Sequence, residues 1–526
     1  MKRRNTVGRG FSGACGALTW LLLSACGPAT FTESRFTESP FSQENPSLPG
    51  NSPVSEGPDQ EASGPSDLPS LGELPALGEL PDLEALRGQA TEPENEAQSS
   101  TSRSWYVSMR GSDAASGRVD SPLRTIARAA ALARPGDVVR VLPGMYQEQL
   151  VLESRGAGAA AITLRGEGSV RPTLMPADRA PGAVIFVRGR WNLENLHVDV
   201  DGAPKAAVVF HTGADESRLT GSELRDGRAG GGVIVQGARH IRILNNLIHH
   251  FIKPRDDSHG VVVVGPSQDV VIRGNDIHNN SGDSVQCQGG TGPAQLLLVE
   301  TNLLHDNGEN GVDIKECNDV VIRNNDLAGF PNPAVRPVGS SAGEAVLVSR
   351  GARGVVIQGN TISRAGRGIS ILSQVAPPED IRIERNTIRN IRNFPAHNGH
   401  GIRISGGRNV QVLDNTVTNT ASYGLMLAAD GMVVSGLTVR NNRVTGGALK
   451  LLVRLGRQTY RPGFSMGANN YGRGGALSED GVREKLRGPL ERYRGLFIGE
   501  HLFLSRPERM DVWRQVSEVD QGSGVQ

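Results

Sequence analysis

A chain of 526 residues has room for several ordinary domains, yet only 4% of it is aromatic while 67 residues are glycine. That balance excludes a core built on Phe, Tyr and Trp and suits many tight turns joining short aliphatic strands. A formal net charge of +1 leaves no electrostatic footprint for nucleic acid or a lipid surface, so neither is expected as a partner of the folded body, and a monomer is expected.

Residues 1–26 read as a targeting segment. Lys2, Arg3, Arg4 and Arg9 make a basic start, and the apolar stretch from Gly13 to Ala25 is too short to span a bilayer as a helix. The segment ends Leu23-Ser24-Ala25-Cys26, which resembles a bacterial lipobox. The resemblance implies cleavage before Cys26, diacylglycerol on its thiol and a membrane anchor in the cell envelope. Gly27 follows in place of an aspartate, which resembles the sorting pattern for the outer membrane or cell surface. Residues 27–103 are rich in Pro, Ser, Glu and Gly, with an echo at Leu71–Ala76 and Leu77–Asp82. Such a stretch buries too little apolar surface to offset its ordering entropy, so it reads as a tether on the order of 50 Å in reach.

Order is expected from Trp105. A short strand at Tyr106 and Val107 leads through a Gly/Ser/Asp loop to an amphipathic helix over Leu123–Ala133, with Ile126, Ala130 and Leu132 towards one side. Ala133-Arg-Pro-Gly-Asp137 ends that helix, and Val138–Leu142 is a strand. A helix here would plug the open end of a solenoid. The pattern YVS…GSD…SPLRTI…ARPGDVV.VLPG.Y resembles the opening of secreted β-helix proteins, pectate lyases with such a cap among them.

The repeat that follows carries the fold. Asn246, Asn275, Asn302, Asn325, Asn360, Asn386, Asn415 and Asn442 recur at a mean spacing of 28 residues, each after an alternating strand and each two places before an aliphatic residue. Laps of that length stack about 4.8 Å apart, placing inward aliphatics in columns and turn asparagines in a ladder. Asn also tolerates the left-handed conformation of a bend. Asn195 and Ser222 continue the phase towards the N-terminus. The fold expected for residues 104–446 is therefore all-β, a right-handed parallel β-helix of about ten to twelve laps. Residues 447–526 are expected to form a C-terminal cap with a helix over 477–491 and a disordered end.

Chemistry in a solenoid is built from outward columns. Aligning Gly260, Gly282 and Gly311 puts Val263, Val285 and Ile314 inside and stacks Val262/Ser284/Asp313 and Val264/Gln286/Lys315 outside. Ser370 and Arg403 extend the Asp313 column, with Glu344 close by. Asp257, Asp283 and Glu309 lie in or beside the preceding turns. An oxygen-rich group of Asp257, Asp283, Glu309 and Asp313 suits a hard cation such as calcium. Lys315 next to it is expected as the base, with Asp313 and Arg403 assisting and Ser284, Gln286 and Glu344 binding substrate. These parts resemble those of the β-helix pectate lyases and imply calcium-assisted β-elimination on an acidic, uronic-acid polysaccharide. Two alternatives stay open: a non-catalytic glycan- or protein-binding surface module, and a glycoside hydrolase or epimerase using paired carboxylates such as Asp283 and Asp313. His249, His278 and His305 form another outward column, expected as an exposed polar stack, with a metal site as the other reading. Cys287 and Cys317, the cysteines left in the body, form either a disulfide or a buried thiol pair.

Overall fold

A computed structural model describes residues 102–526 apart from 155–159, 337–340, 395–398, 428–431, 447–451, 456–462, 473–513, 515–518 and 526. The targeting segment, Cys26, nearly all of the tether and the helix expected over 477–491 lie outside the described residues.

Each lap visits three parallel sheets in turn. In one lap these are Arg239–Leu244 in the first sheet, Leu247–His249 in the second and His259–Val264 in the third. Among the described residues the sheets hold 14, 14 and 12 strands, each strand pairing in register with its counterpart one lap on. Inward positions are mostly aliphatic, with Trp191, Phe210 and Cys287 among the exceptions. On the third sheet Val261, Val285, Val312 and Val346 follow one another, beside Val263, Cys287, Ile314 and Val348. One buried cluster runs from Trp105 to Tyr471. At about 25 cal/mol per Å² of apolar surface, this continuous column is the main source of cohesion between laps.

The entry is capped by the helix Ile126–Leu132, shorter at its start than expected. Thr125 is its N-cap, accepting from Arg128 N, and Glu148 accepts from the backbone of Ile126 and Ala127 at 2.9 Å each. Those bonds satisfy the first-turn donors that a helix leaves open. Ile126, Ala129 and Ala130 are buried. Among the described residues no helix is long and apolar enough to cross a membrane.

The asparagine ladder sits at the corner between the first and second sheets. Asn275 donates through Nδ2 to Asn302 Oδ1 at 3.0 Å, and its backbone N–H reaches the same oxygen at 2.9 Å. The pattern repeats from Asn246 to Asn469. The left-handed residue is not the ladder asparagine but the one before it: Asn245, Gly274, Thr301, Asn324, Gly359, Arg385, Asp414 and Asn441 have positive φ. Asn195 is one of these bend residues, and Leu196 holds the ladder position ahead of Ser222. A second, shorter ladder runs Asn280 to Asn307 at 2.9 Å.

The laps continue past residue 446, through Val453–Leu455, Ser465–Gly467 and Asn470–Tyr471. The last ten residues were expected to be disordered, but Gly524–Val525 pairs with Asn470–Tyr471, and buried Asp520 accepts from Tyr471 Oη at 2.6 Å. A polar, glycine-rich tail folds here because the open lap offers it unpaired backbone and a buried tyrosine hydroxyl.

Candidate functional site

The outer face of the third sheet carries two polar columns. One continues from Val262 through Gln286, Asp313, Leu347, Ser370, Arg403, Met426 and Arg454. The other lies three residues before the first in each lap, at or just ahead of the strand start, and runs through His259, Asp283, Asn310, Glu344, Arg367 and His400 to Tyr423. Glu344 pairs directly opposite Arg367, and the His400 and Tyr423 rings stack with centroids 6.0 Å apart.

This register corrects the sequence alignment. Gln286, not Ser284, precedes Asp313, and Gln288 rather than Gln286 stands beside Val264. The edge position of each strand must be small, since a Cβ on Gly311 would lie 2.4 Å from the Ala345 carbonyl and one on Gly260 2.7 Å from the Ser284 carbonyl. In the intervening lap Ser284 fills that position, where Gly282 had been aligned. The slip is two residues, so Val263, Val285 and Ile314 are inside as expected. Ser284 is fully buried, with its Oγ 2.6 Å from Asn307 Nδ2, and does not join the outward group expected to bind substrate.

Asp283, Gln286, Glu309, Asp313 and Lys315 do converge. Asp283 has no exposed surface; it accepts from Asn310 N at 3.0 Å and Gln286 Nε2 at 3.1 Å, with His259 Nδ1 3.2 Å away. Asp313 Oδ2 lies 2.7 Å from Lys315 Nζ, while Asp313 Oδ1 is buried without a hydrogen-bond partner. Arg336 contacts both Asp257 and Glu309, the latter at 3.3 Å. Sequence reasoning missed Arg336 because it sits in the long turn after Ala328, 79 residues from Asp257. Arg367, His400 and Tyr423, each just before an edge glycine (Gly368, Gly401 and Gly424), and Arg454 were missed too, because the glycine alignment stopped at Gly311.

Electrostatics divides the two aspartates. Burial pushes the Asp313 carboxyl up to about 6, with the Asp283 charge adding to the effect against the pull of Lys315. Burial also opposes ionisation of Asp283, but the His259 ring, Lys315 and the Asn310 N–H outweigh it and hold this carboxyl below its ordinary value. Glu309 is raised well above the usual range by burial and by Asp283 and Asp257. Burial works against the Lys315 charge, yet Asp313, Asp283 and Glu309 together raise its value above that of a free lysine. At neutral pH Lys315 is therefore an ammonium ion, which corrects its expected role as base. Burial, followed by Arg367, Arg403 and Arg454, lowers His400 to about 2 and keeps it neutral.

Two further expectations change. The carboxylates expected to hold calcium already face cationic or imidazole groups: Arg336 on Asp257 and Glu309, Lys315 on Asp313, His259 on Asp283. A hard cation needs several free oxygens converging on it, so this set does not fit calcium. Arg403 lies three laps beyond Asp313, about 14 Å at 4.8 Å per lap, too far to act on the same bond. Its Nε donates to Ser405 Oγ at 2.8 Å. Glu344 is buried and bound to Arg367 at 2.9 Å. Cys287 and Cys317 form a disulfide between neighbouring laps, with Cα atoms 6.3 Å apart.

Residues 259–444 match the family model described as "Right handed beta helix region". The body of this chain is a right-handed parallel β-helix. Residues 109–153, at the capped entry to this β-helix, match a family described as a protein of unknown function. Among solved structures, the β-helix is similar to the GH136 lacto-N-biosidase from Eubacterium ramulus at 12% identity and a TM-score of 0.45, covering 70% of this chain and 66% of that one. The mannuronan C-5 epimerase AlgE4 A-module of Azotobacter vinelandii is similar at 18% identity and a TM-score of 0.42, covering 59% and 93%. The pectate lyase Pel9A is similar at 14% identity and a TM-score of 0.39, covering 69% and 81%. The chain thus spans just under two thirds of the length of the lacto-N-biosidase. No curated protein matches it.

Proposed function

We propose that this β-helix is a carbohydrate-active enzyme that hydrolyses a glycosidic bond, with Asp313 as general acid and Asp283 as the ionised partner. One observation carries the reading: two buried carboxyls on neighbouring laps have environments that push their proton affinities apart, Asp313 up to about 6 and Asp283 downward. A glycosidase needs such a division, one carboxyl holding a proton for the leaving oxygen beside one that stays charged, and fully buried Asp283 supplies that fixed charge. Lys315 beside Asp313 keeps the pair oriented and balances its charge.

β-Elimination is the reading that the lyase-like sequence parts suggested, and it depended on Lys315 as base. Its position among three carboxylates disfavours the neutral amine. Arg403 and Arg454 along the same face give the substrate path positive charge, which favours an acidic glycan. We further propose that lipid on Cys26 anchors the protein in the cell envelope, with the enzyme at the end of the 27–103 tether; loss of lipid labelling in Cys26→Ala, with retention in the parent, is the expected result.

The activity test is a screen of pectate, alginate, glycosaminoglycans and neutral oligosaccharides. Reducing ends released without ultraviolet-absorbing unsaturated sugars support hydrolysis, provided that Asp313→Asn abolishes them. An unsaturated product would return the reaction to β-elimination. No turnover of any glycan, with binding intact in both Asp283→Asn and Asp313→Asn, would make the face a binding surface.

A further inference from the structure

A histidine column lies on the second sheet, a face that the proposed hydrolysis does not use. His249, His278 and His305 occupy the same register on three successive laps. The His249 and His278 rings stack with centroids 5.1 Å apart and planes 4° apart, and those of His278 and His305 at 4.8 Å and 18°. His250 stands edge-on to both His249 and His278. Asp276, two residues before His278, points from the same face and places Oδ1 3.1 Å from His305 Nε2.

Two details distinguish this group from an ordinary polar stack. His278 Nδ1 is shielded from solvent and has no hydrogen-bond partner, a costly state for an imidazole nitrogen. His305 Nδ1 lies 2.9 Å from Asp306 Oδ2, the outer carboxylate arrangement that orients a metal-binding histidine. One ligand atom each from Asp276, His278 and His305 lies within 4.8 Å of the other two. Three atoms bound to one ion at about 2.0–2.2 Å lie about 3.3–3.8 Å from one another, so side-chain movement of about 1 Å closes the group.

We propose that Asp276, His278 and His305 bind a divalent late first-row transition ion of the zinc class, bridging two laps. Two imidazoles and one carboxylate match that borderline-soft group and are a poor set for calcium or magnesium, which take oxygen ligands. The ion satisfies His278 Nδ1 and ties neighbouring strands through side chains where the backbone strands are only three residues long, Asp276–His278 and Leu303–His305. The site is separate from the third-sheet cluster and stands or falls independently of the proposed activity.

The test uses the full chain, freed of metal by chelation and desalting and titrated with ZnCl₂ by calorimetry, with metal counted by mass spectrometry. One zinc per chain is expected, with binding weakened at least ~10-fold in His278→Ala and in His305→Ala. His240→Ala, an exposed histidine on the first sheet, should leave binding unchanged. Because a variant that misfolds would be silent, the unmodified chain is also melted with and without zinc. A zinc-dependent rise in Tm supports the site, and no rise at saturating zinc overturns it. Equal binding in folded His278→Ala and His305→Ala, or displacement of zinc by excess calcium, would also overturn it.

Discussion

Replacing Asn325 by alanine tests the ladder that sets the laps in register. Asn325 Oδ1 accepts from Asn302 N at 3.0 Å and Asn302 Nδ2 at 2.9 Å; its own Nδ2 donates to Val299 O at 2.9 Å and Asn360 Oδ1 at 3.0 Å. Alanine removes all four bonds. Asn325 is only 2% exposed, so no bulk water replaces them. The backbone N–H of Asn302 and one hydrogen of its amide are left as buried, unpaired donors. At about 1–3 kcal/mol for each such group, the loss is about 2–6 kcal/mol, before any contribution from the small cavity. For a domain of this size about 2 °C of Tm accompanies each kcal/mol, so the midpoint should fall on the order of 5–10 °C. Thr387→Ala, at an exposed strand position, serves as the control and should shift the midpoint by about 1 °C or less. Differential scanning calorimetry of the two variants beside the parent reads the difference. Equal shifts in the two would refute the claim that the buried side-chain amides hold the laps together.

The remaining expectations concern the site and the disulfide. Asp313→Asn should lower kcat by about 10²–10⁴ with little change in KM, as expected for loss of a general acid, measured by reducing-sugar release. Because Asp313 acts only while it holds its proton, activity should be present below about pH 6 and fall as pH rises through that value; the acid limb, set by Asp283, should lie below the ordinary carboxylate range. A profile still flat through pH 8 would remove Asp313 from the role. Hydrolysis should survive EDTA, since Arg336 and Lys315 balance the third-sheet carboxylates, and a chelator-sensitive rate would show that a cation belongs there after all. Paired Cys287→Ala and Cys317→Ala substitutions open a link spanning 30 residues and should cost about 3–4 kcal/mol, seen as a lower Tm that reductant does not lower further.

Much of this architecture was legible because it is local chemistry repeated. A 28-residue period, alternating aliphatics and an asparagine at a fixed offset leave few foldings other than stacked laps, and the inside positions followed from parity alone. The capping helix was legible as well, although its start depended on Thr125, and the Glu148 that closes its first turn lies just after the later strand Met145–Gln147.

The site depended on what parity does not set. A two-residue slip keeps every side chain on its own face, so Gly282 and Ser284 were equally good fits to the alignment, yet the choice moved Gln286 from beside Lys315 to beside Asp313. Long turns of unequal length brought Arg336 onto Asp257 and Glu309, with nothing in the spacing to announce it. The protonation roles were likewise tertiary: Lys315 reads as a base in isolation and becomes a fixed cation only once Asp283, Glu309 and Asp313 surround it. The sequence by itself determined a lap, its inner and outer faces and the asparagine seam, because each is written in every repeat. Only the stacking of laps decided which outward groups meet, because contact across laps depends on loop lengths and register, and the charge state of each group depends on the neighbours those bring.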